Sequence, residues 1–302
     1  LLFIMKYVTC EIMGGLGNQL FQIFATIAYA MKHNWTFVFP YSEELWGHNG
    51  PRYTAWDSFL KGLKKYTVID KENEMISTYL PSFPIYREDK FSYKEIPCNN
   101  NFMFLKLHGY FQSYKYFEKY YDKITNLINL NQQIKEVYEN NKELLSDEYN
   151  ISMHFRVGDY KQLQEYHPIL PFRYYYNSLK YILDNKKEEN VKIIYFCEKH
   201  DIDFVNETIA KLKLHYEDLK FIRATDEIQD WQQMLLMSCC HANIIANSSF
   251  SWWGAYFNNN PKKIVCYPNK WFGPSMSSDH HDISDLVPST WNKINIRKEG
   301  EY

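Results

Sequence analysis

The sequence predicts an α/β fold of two halves, each a parallel sheet with helices packed on its faces. Three observations carry this expectation. The chain opens as strand–turn–helix–strand, its second half alternates strands and helices without interruption, and its 302 residues exceed one comfortable core. In sheets of this kind ligands bind beyond the carboxyl ends of the strands. The two halves are therefore expected to face each other across a cleft.

The opening strand is "YVTCEIM" (7–13), an apolar run, followed by the helix "QLFQIFATIAYAMKHN". Leu20, Ile23, Phe24, Ile27 and Met31 recur at helical spacing and define one apolar face. "TFVFP" (36–40) reads as a second strand stopped by Pro40. Residues 41–100 are broken by Pro51, Pro81, Pro84 and Pro97, so loops and short helices are expected, with a strand near "YTVID" (66–70). "FLKLHGYFQS" (104–113) closes the first half as a strand, and two polar helices follow at 114–128 and 131–146. The Asn/Glu/Lys-rich stretch at 139–150 suits a boundary, giving domains 1–148 and 149–302. Beyond it the pattern predicts strands at 151–155, 191–197, 219–224, 242–248 and 263–268. Helices alternate with them after Pro171 and at 201–213, 229–240 and 250–259.

Composition narrows the function. A formal charge of −2 lacks the basic footprint of a nucleic-acid binder. Six cysteines without C-x-x-C spacing read as reduced packing residues, not a zinc site or a disulfide framework. No apolar run reaches the length of a membrane span, so a cytoplasmic protein, free or peripheral to a membrane, is expected. The residues before Met5 are expected to be upstream sequence. The 26 tyrosines fit either biased codon usage or sugar recognition by flat rings and phenolic hydroxyls.

Three motifs carry chemistry. "GGLGNQL" (14–20) lacks the Lys of a phosphate loop, and Leu20 stands where a dinucleotide fingerprint needs its third glycine. What remains is a strand–turn–helix corner exposing backbone N–H groups, with Asn18 and Gln19 at its mouth; a purely structural turn is the competing reading. "HFRVGDYKQ" (154–162) puts Arg156 just past a strand end, where its fork can grip phosphate, or can simply pair with Asp159. "NSSFSWWGAYF" (247–257) follows another buried strand, and its serines can cap the next helix or bind a diphosphate at its positive end. Trp252 and Trp253 favour the core over the site. "HDID" (200–203) resembles an Asp-x-Asp metal motif, but Asp201 and Asp203 in a first helical turn already suit the macrodipole.

In this order and spacing, "GGLGNQLFQ", "HFRVGDY" and "NSSFSWWGA" resemble the α-1,2-fucosyltransferases of glycosyltransferase family 11. "GYFQSYKYF" (109–117) and "KWFGP…DLVPSTW" extend the likeness from about residue 8 to 295. The resemblance implies a GT-B-like fold of two Rossmann-like domains, an acceptor side in the first and GDP-fucose in the second, with an oligosaccharide or glycoconjugate acceptor. It implies no cofactor and no metal. Arg156, with His154 beside it, is expected on the donor's β-phosphate, and Asn18 against the reacting sugar; Asp159 joins them as a catalytic candidate. Donor-binding candidates are Gly14, Gly15, Gly17 and Gln19 in the first domain. In the second they are Gly158, Glu198, Asn247, Ser248, Ser249, Phe250 and Ser251. The family usually has a second Arg where this chain has Val157. A β-linked donor and an α-linked product imply inversion by direct displacement. The base is left open among Asp159, Glu198, His154 and first-domain acids such as Asp57. The runner-up is a related inverting transferase that uses GDP-fucose on another acceptor or linkage, protein Ser/Thr included, and a catalytically silent glycan- or nucleotide-binding protein is the alternative from another class.

Overall fold

The computed structural model describes residues 5–47, 50–68, 80–99, 101–145, 148–187, 190–276 and 280–296. The chain forms two compact units, Leu1–Gln132 with Ser278–Pro288, and Gln133–Ser277 with Ser289–Tyr302. Each is built on a parallel sheet, as expected.

Unit 1 opens with β1 (Tyr7–Cys10) and α1 (Leu16–His33). Asn34 closes α1 in a left-handed conformation, and Lys32 and His33 in its last turn oppose the macrodipole. β2 (Thr36–Phe37) and β3 (Phe39–Pro40) split the predicted strand at 36–40. The region read as irregular contains a hairpin, β4 (Glu44–Gly47) and β5 (Gly50–Tyr53), then β6 (Thr67–Val68) and β7 (Ile85–Arg87). Residues 69–70 of the strand expected at 66–70 lie outside the described residues. β8 (Phe104–His108) precedes two short helices, α2 (Tyr121–Leu127) and α3 (Leu130–Asn140). The main sheet runs β2-β1-β8-β7.

Helix α1 was expected to bury one face, yet residues 19–30 are buried all round. The sheet covers one side, while the turns at 114–120 and α2 cover the other. Its two buried glutamines satisfy their own amides. Gln22 donates to Met13 O (2.9 Å) and accepts from Met13 N (2.8 Å), so a polar residue sits inside at little cost.

Unit 2 contains β9 (Tyr149–His154), α4 (Phe172–Asn185), β10 (Val191–Phe196) and α5 (Ile202–His215). It continues with β11 (Lys220–Arg223), α6 (Asp230–Ser238), β12 (Ala242–Ile244), α7 (Ser249–Tyr256), β13 (Ile264–Pro268) and β14 (Asn292–Ile294). The sheet order is β11-β10-β9-β12-β13-β14, parallel throughout. Numbered within the unit this is 3-2-1-4-5-6, the doubly wound order of dinucleotide-binding folds. β9 and β10 are buried at every position, although Asn150, Ser152 and His154 alternate with the apolar residues of β9 and Lys192, paired with Glu148 at 2.9 Å, interrupts β10.

The expected division at 148/149 is corrected in two places. The second unit begins at Gln133, before the polar stretch at 139–150. Both ends are fastened to unit 2: ahead of the stretch the Cys239 thiol donates to Ile134 O at 3.9 Å, and at its end Asn150 N donates to His241 Nδ1 at 3.0 Å while Asn150 O accepts from His241 N at 2.8 Å. The segment Ser278–Pro288 returns to unit 1 because Asp285 anchors it there. Asp285 accepts from Tyr93 N (3.0 Å), pairs with Lys115, and its carbonyl accepts from Ser113 Oγ (2.6 Å).

All six cysteines are free thiols, and burial pushes those of Cys10 and Cys239 up to about 12. Among the described residues no helix is long and apolar enough to cross a membrane.

Candidate functional site

In unit 2, β9 is the first strand, and the chain leaves it toward β10 on one side and later returns to β12 on the other. Such a point of reversal opens a crevice at the carboxyl ends of the two neighbouring strands. Arg156 follows β9, Glu198 follows β10, and Asn247 to Ser251 follow β12. Three stretches well separated in the chain thus come to the carboxyl end of one sheet.

The guanidinium of Arg156 is held from three sides. Nη1 donates to Glu198 and Nη2 to Asp159, and its centre lies 4.8 Å over the ring of Tyr160. Burial opposes its charge, but Tyr160, Asp159 and Glu198 together outweigh burial and raise its pKa. Two of five N–H donors serve the carboxylates, and the fork keeps capacity for an incoming anion. The side chain of Glu198 is 51% exposed against 28% for Asp159, so Glu198 is the partner more easily displaced.

The turn carrying Asp159 is pinned from beneath. Gly158 N donates to Asp201 Oδ2 at 2.6 Å, and Lys161 Nζ reaches Asp201 Oδ1 at 2.8 Å. Gly158 adopts φ +30°, and a Cβ there would lie 3.2 Å from Arg156 Nη1 and 3.4 Å from Glu198. Glycine is needed for the turn and for the close approach of the fork. Val157 packs in the apolar core of unit 2, so the departure from the family pattern leaves the Arg156 fork complete.

His154 is corrected as a proton acceptor. Burial, with a smaller effect of Arg156, pushes its imidazole down to about 3, so it is neutral at physiological pH. Its ring lies 5.6 Å from Phe250. Asp57 is a poor base as well, because Lys64 and then Tyr41 hold its carboxyl below the usual range.

The serine segment divides into cap, strut and candidate contacts. Ser248 is the N-cap of α7, its Oγ accepting from Phe250 N at 3.3 Å. Ser251 is buried, accepts from Ala246 N (3.2 Å) and donates to Ser248 O, so its hydroxyl is a structural link and its expected donor contact is corrected. Asn247 is likewise buried, its amide donating to Pro168 O and Trp271 O, both at 3.0 Å. It ties two loops beneath the site, and its carbonyl accepts from Tyr160 OH at 3.1 Å. Ser249 and Phe250, in the first turn of α7, are half-exposed at its positive end. Ser248→Ala is expected to cost about 1 kcal/mol of stability by loss of the cap, read as a shift in the urea midpoint.

In unit 1 the glycine corner is real. Gly14 adopts φ +75°, Gly15 is the N-cap of α1, and Gly17 is buried inside the helix. Gln19 does not face outward: it is 1% exposed and donates to Gly14 O (2.9 Å) and Tyr53 O (3.1 Å), which corrects its expected donor contact. Asn18 is half-buried and its Oδ1 accepts from Gln112 at 2.7 Å. A separate cavity of about 350 Å³ in this unit is lined by Thr9, Glu11, Pro40, Leu45, Trp56 and Lys106. Part of that lining comes from the 41–100 region, where acceptor contacts are expected.

Sequence reasoning missed the work of Tyr160 and Asp201. Tyr160 stood inside a quoted motif; Asp201 was read from its own helix alone. Glu198, His200 and Asp201 bring potential ligand atoms within 4.8 Å of one another. Both oxygens of Asp201 are already bonded to Gly158 N–H and Lys161, which makes it a poor metal ligand.

Comparison with known proteins adds three findings. The profile of "Glycosyl transferase family 11" matches residues 7–294. An α-1,2-colitosyltransferase of Escherichia coli is 28% identical over 96% of this chain and 99% of its own. A galactoside 2-α-L-fucosyltransferase of Caenorhabditis elegans is 26% identical over 95% of this chain and 78% of its own. Among solved structures, Arabidopsis thaliana FUT1 in complex with GDP aligns with TM-score 0.47 at 10% identity, covering 87% of this chain and 70% of that one.

Proposed function

The chain belongs to glycosyl transferase family 11, and we propose that it moves L-fucose from GDP-β-L-fucose to the 2-hydroxyl of a galactoside, with inversion and without a metal. The observation that carries this reading is the Arg156 fork at the reversal point of unit 2, linked through the ring and hydroxyl of Tyr160 to Asn247 just before α7.

As the bond from fucose to GDP breaks, negative charge grows on the β-phosphate and positive charge on the sugar. Arg156 and the positive N-terminal end of α7 are suited to that growing charge, and preorganised electrostatics of this kind dominate such catalysis. A carboxylate repels a diphosphate, so Glu198 instead accepts from a hydroxyl. Its position just past the second strand is where an acid meets the ribose in doubly wound folds, an analogy of fold. Asp159 and Tyr160 hold the guanidinium in place. Asn18 acts from the first-unit corner on the transferred sugar. Asp159 and Glu198 remain the base candidates that the structure leaves with accessible oxygens.

A second reading replaces fucose by colitose, favoured by the full-length relative named for that sugar. Both readings are tested by incubating the purified protein with GDP-fucose or GDP-colitose and a panel of β-galactosides, then determining the linkage. Galactoside-dependent GDP release from GDP-fucose, an α-1,2 product and indifference to chelator are expected. Preference for GDP-colitose selects the second reading. Product at another hydroxyl, or none with either donor, overturns the acceptor assignment or the activity.

A further inference from the structure

Glu88 follows β7 in unit 1, and its carboxylate organises the turn that follows β8. Oε2 accepts from Tyr110 N at 2.7 Å and from Phe111 N at 3.0 Å, while Glu88 N donates to His108 O at 2.8 Å. The turn is built around this side chain. A Cβ on Gly109 would lie 2.3 Å from the Glu88 Cβ, so only glycine fits there. Phe111 is buried at φ +50°, a conformation that a bulky residue adopts only when its surroundings impose it. Gln112 comes next, 8% exposed, and donates to Asn18 Oδ1 at 2.7 Å. At the other end of the same carboxamide, a Cβ on Gly14 would meet Asn18 Nδ2 at 2.7 Å. The Asn18 side chain is therefore fitted between Gln112 and the glycine corner.

We infer that Glu88 is a positioning residue for the transfer reaction, fixing the carboxamide of Asn18 through the 109–112 turn and Gln112. This rests on the reading that Asn18 contacts the donor. Glu88 Oε1 is buried without a hydrogen-bond partner among the described residues, so its charge is held for the turn alone. Burial pushes the carboxyl up to about 7, against the pull of the Phe111 and Tyr110 N–H groups, and Asp89 raises it further. Tyr86 and Tyr116 also face it, and burial keeps both phenols neutral. Above that pH the carboxylate grips two N–H groups with charge assistance; below it the protonated carboxyl grips them more weakly. Transfer is therefore expected to lose kcat as pH falls through about 7.

Glu88→Gln preserves shape and removes the charge. It is expected to lower kcat about tenfold, the worth of one charge-assisted hydrogen bond, with acceptor KM within about twofold and the acid limb abolished. Gln112→Leu breaks the link at its far end without touching Glu88. It should cause a similar fall, and the double variant should be no worse than the poorer single, because the two act in series. Unchanged kcat in Glu88→Gln, or losses that multiply in the double variant, overturn the inference. A readout independent of donor identity is the side-chain amide resonance of Asn18. It should move with pH around 7 in the parent protein and stay fixed in Glu88→Gln; a resonance that ignores pH overturns the coupling. A moving resonance in a protein inactive with GDP-fucose supports the coupling and counts against the donor reading alone.

Discussion

Replacing Arg156 with alanine is expected to lower turnover a hundredfold or more while leaving the fold intact. Loss of one preorganised donor aimed at developing charge typically costs about 3–4 kcal/mol of barrier. The stability cost is small, because the carboxylates left behind on Asp159 and Glu198 have side chains 28% and 51% exposed and water can take over. Arg156→Lys keeps the charge but not the fork. A lysine ammonium is a compact point charge without the planar fork, so the phosphate-directed geometry is lost and turnover falls between the parent and the alanine variant. Initial rates at saturating donor, with thermal midpoints measured alongside, check both variants. Near-parental turnover in Arg156→Ala would remove the central residue from the proposed site.

Trp253→Ala is expected to show the opposite profile, a large loss of stability with little change in donor affinity per folded molecule. Trp253 is fully buried, with ring centroids 5.1 Å from Trp252 and 4.9 Å from Phe257. Next to it, a Cβ on Gly254 would lie 2.9 Å from Met237 Cβ, a measure of how tightly α7 is seated on α6. Truncating a Trp in such a place costs about 3–5 kcal/mol, a large share of the ~5–15 kcal/mol that holds a typical domain. Urea denaturation reads the first quantity and GDP binding to the folded fraction the second. Weak GDP binding at unchanged stability would return the tryptophan pair to the site. Since α7 also carries Ser249 and Phe250, its packing is what keeps its positive end aimed at the strand edge.

The elements of unit 2 were legible because their burial is extreme. A strand enclosed on both faces, such as β10, is apolar at nearly every position and leaves a clear run, whereas β9 was legible from the alternation of Ile151, Met153 and Phe155. The hairpin β4–β5, the edge strand β7 and β14 were missed for the converse reason. They are three or four residues long, and Pro51 or exposed residues such as Ile85 and Arg87 mask their alternation. The candidate site was half legible. The placement of Arg156, Glu198 and the 247–251 segment just past β9, β10 and β12 was legible because strand ends fall at fixed places in the chain. Which of their polar atoms face outward could not be read. Gln19 and Ser251 looked like contacts and are internal links, whereas Asp201 looked like a helix-terminal acid and carries the Gly158 turn.

The sequence by itself determined the fold class, the family and the strand end that Arg156 follows, because local burial patterns and motif order are one-dimensional signals. Tertiary structure alone decided the rest. Glu198 reaches Arg156 across 42 residues, Gln112 reaches Asn18 across 94, and Asp285 returns its segment to unit 1 across 170 residues to Lys115. A hydrogen bond is satisfied by whatever donor the folded chain brings within about 3 Å, and sequence separation leaves no trace of that partner.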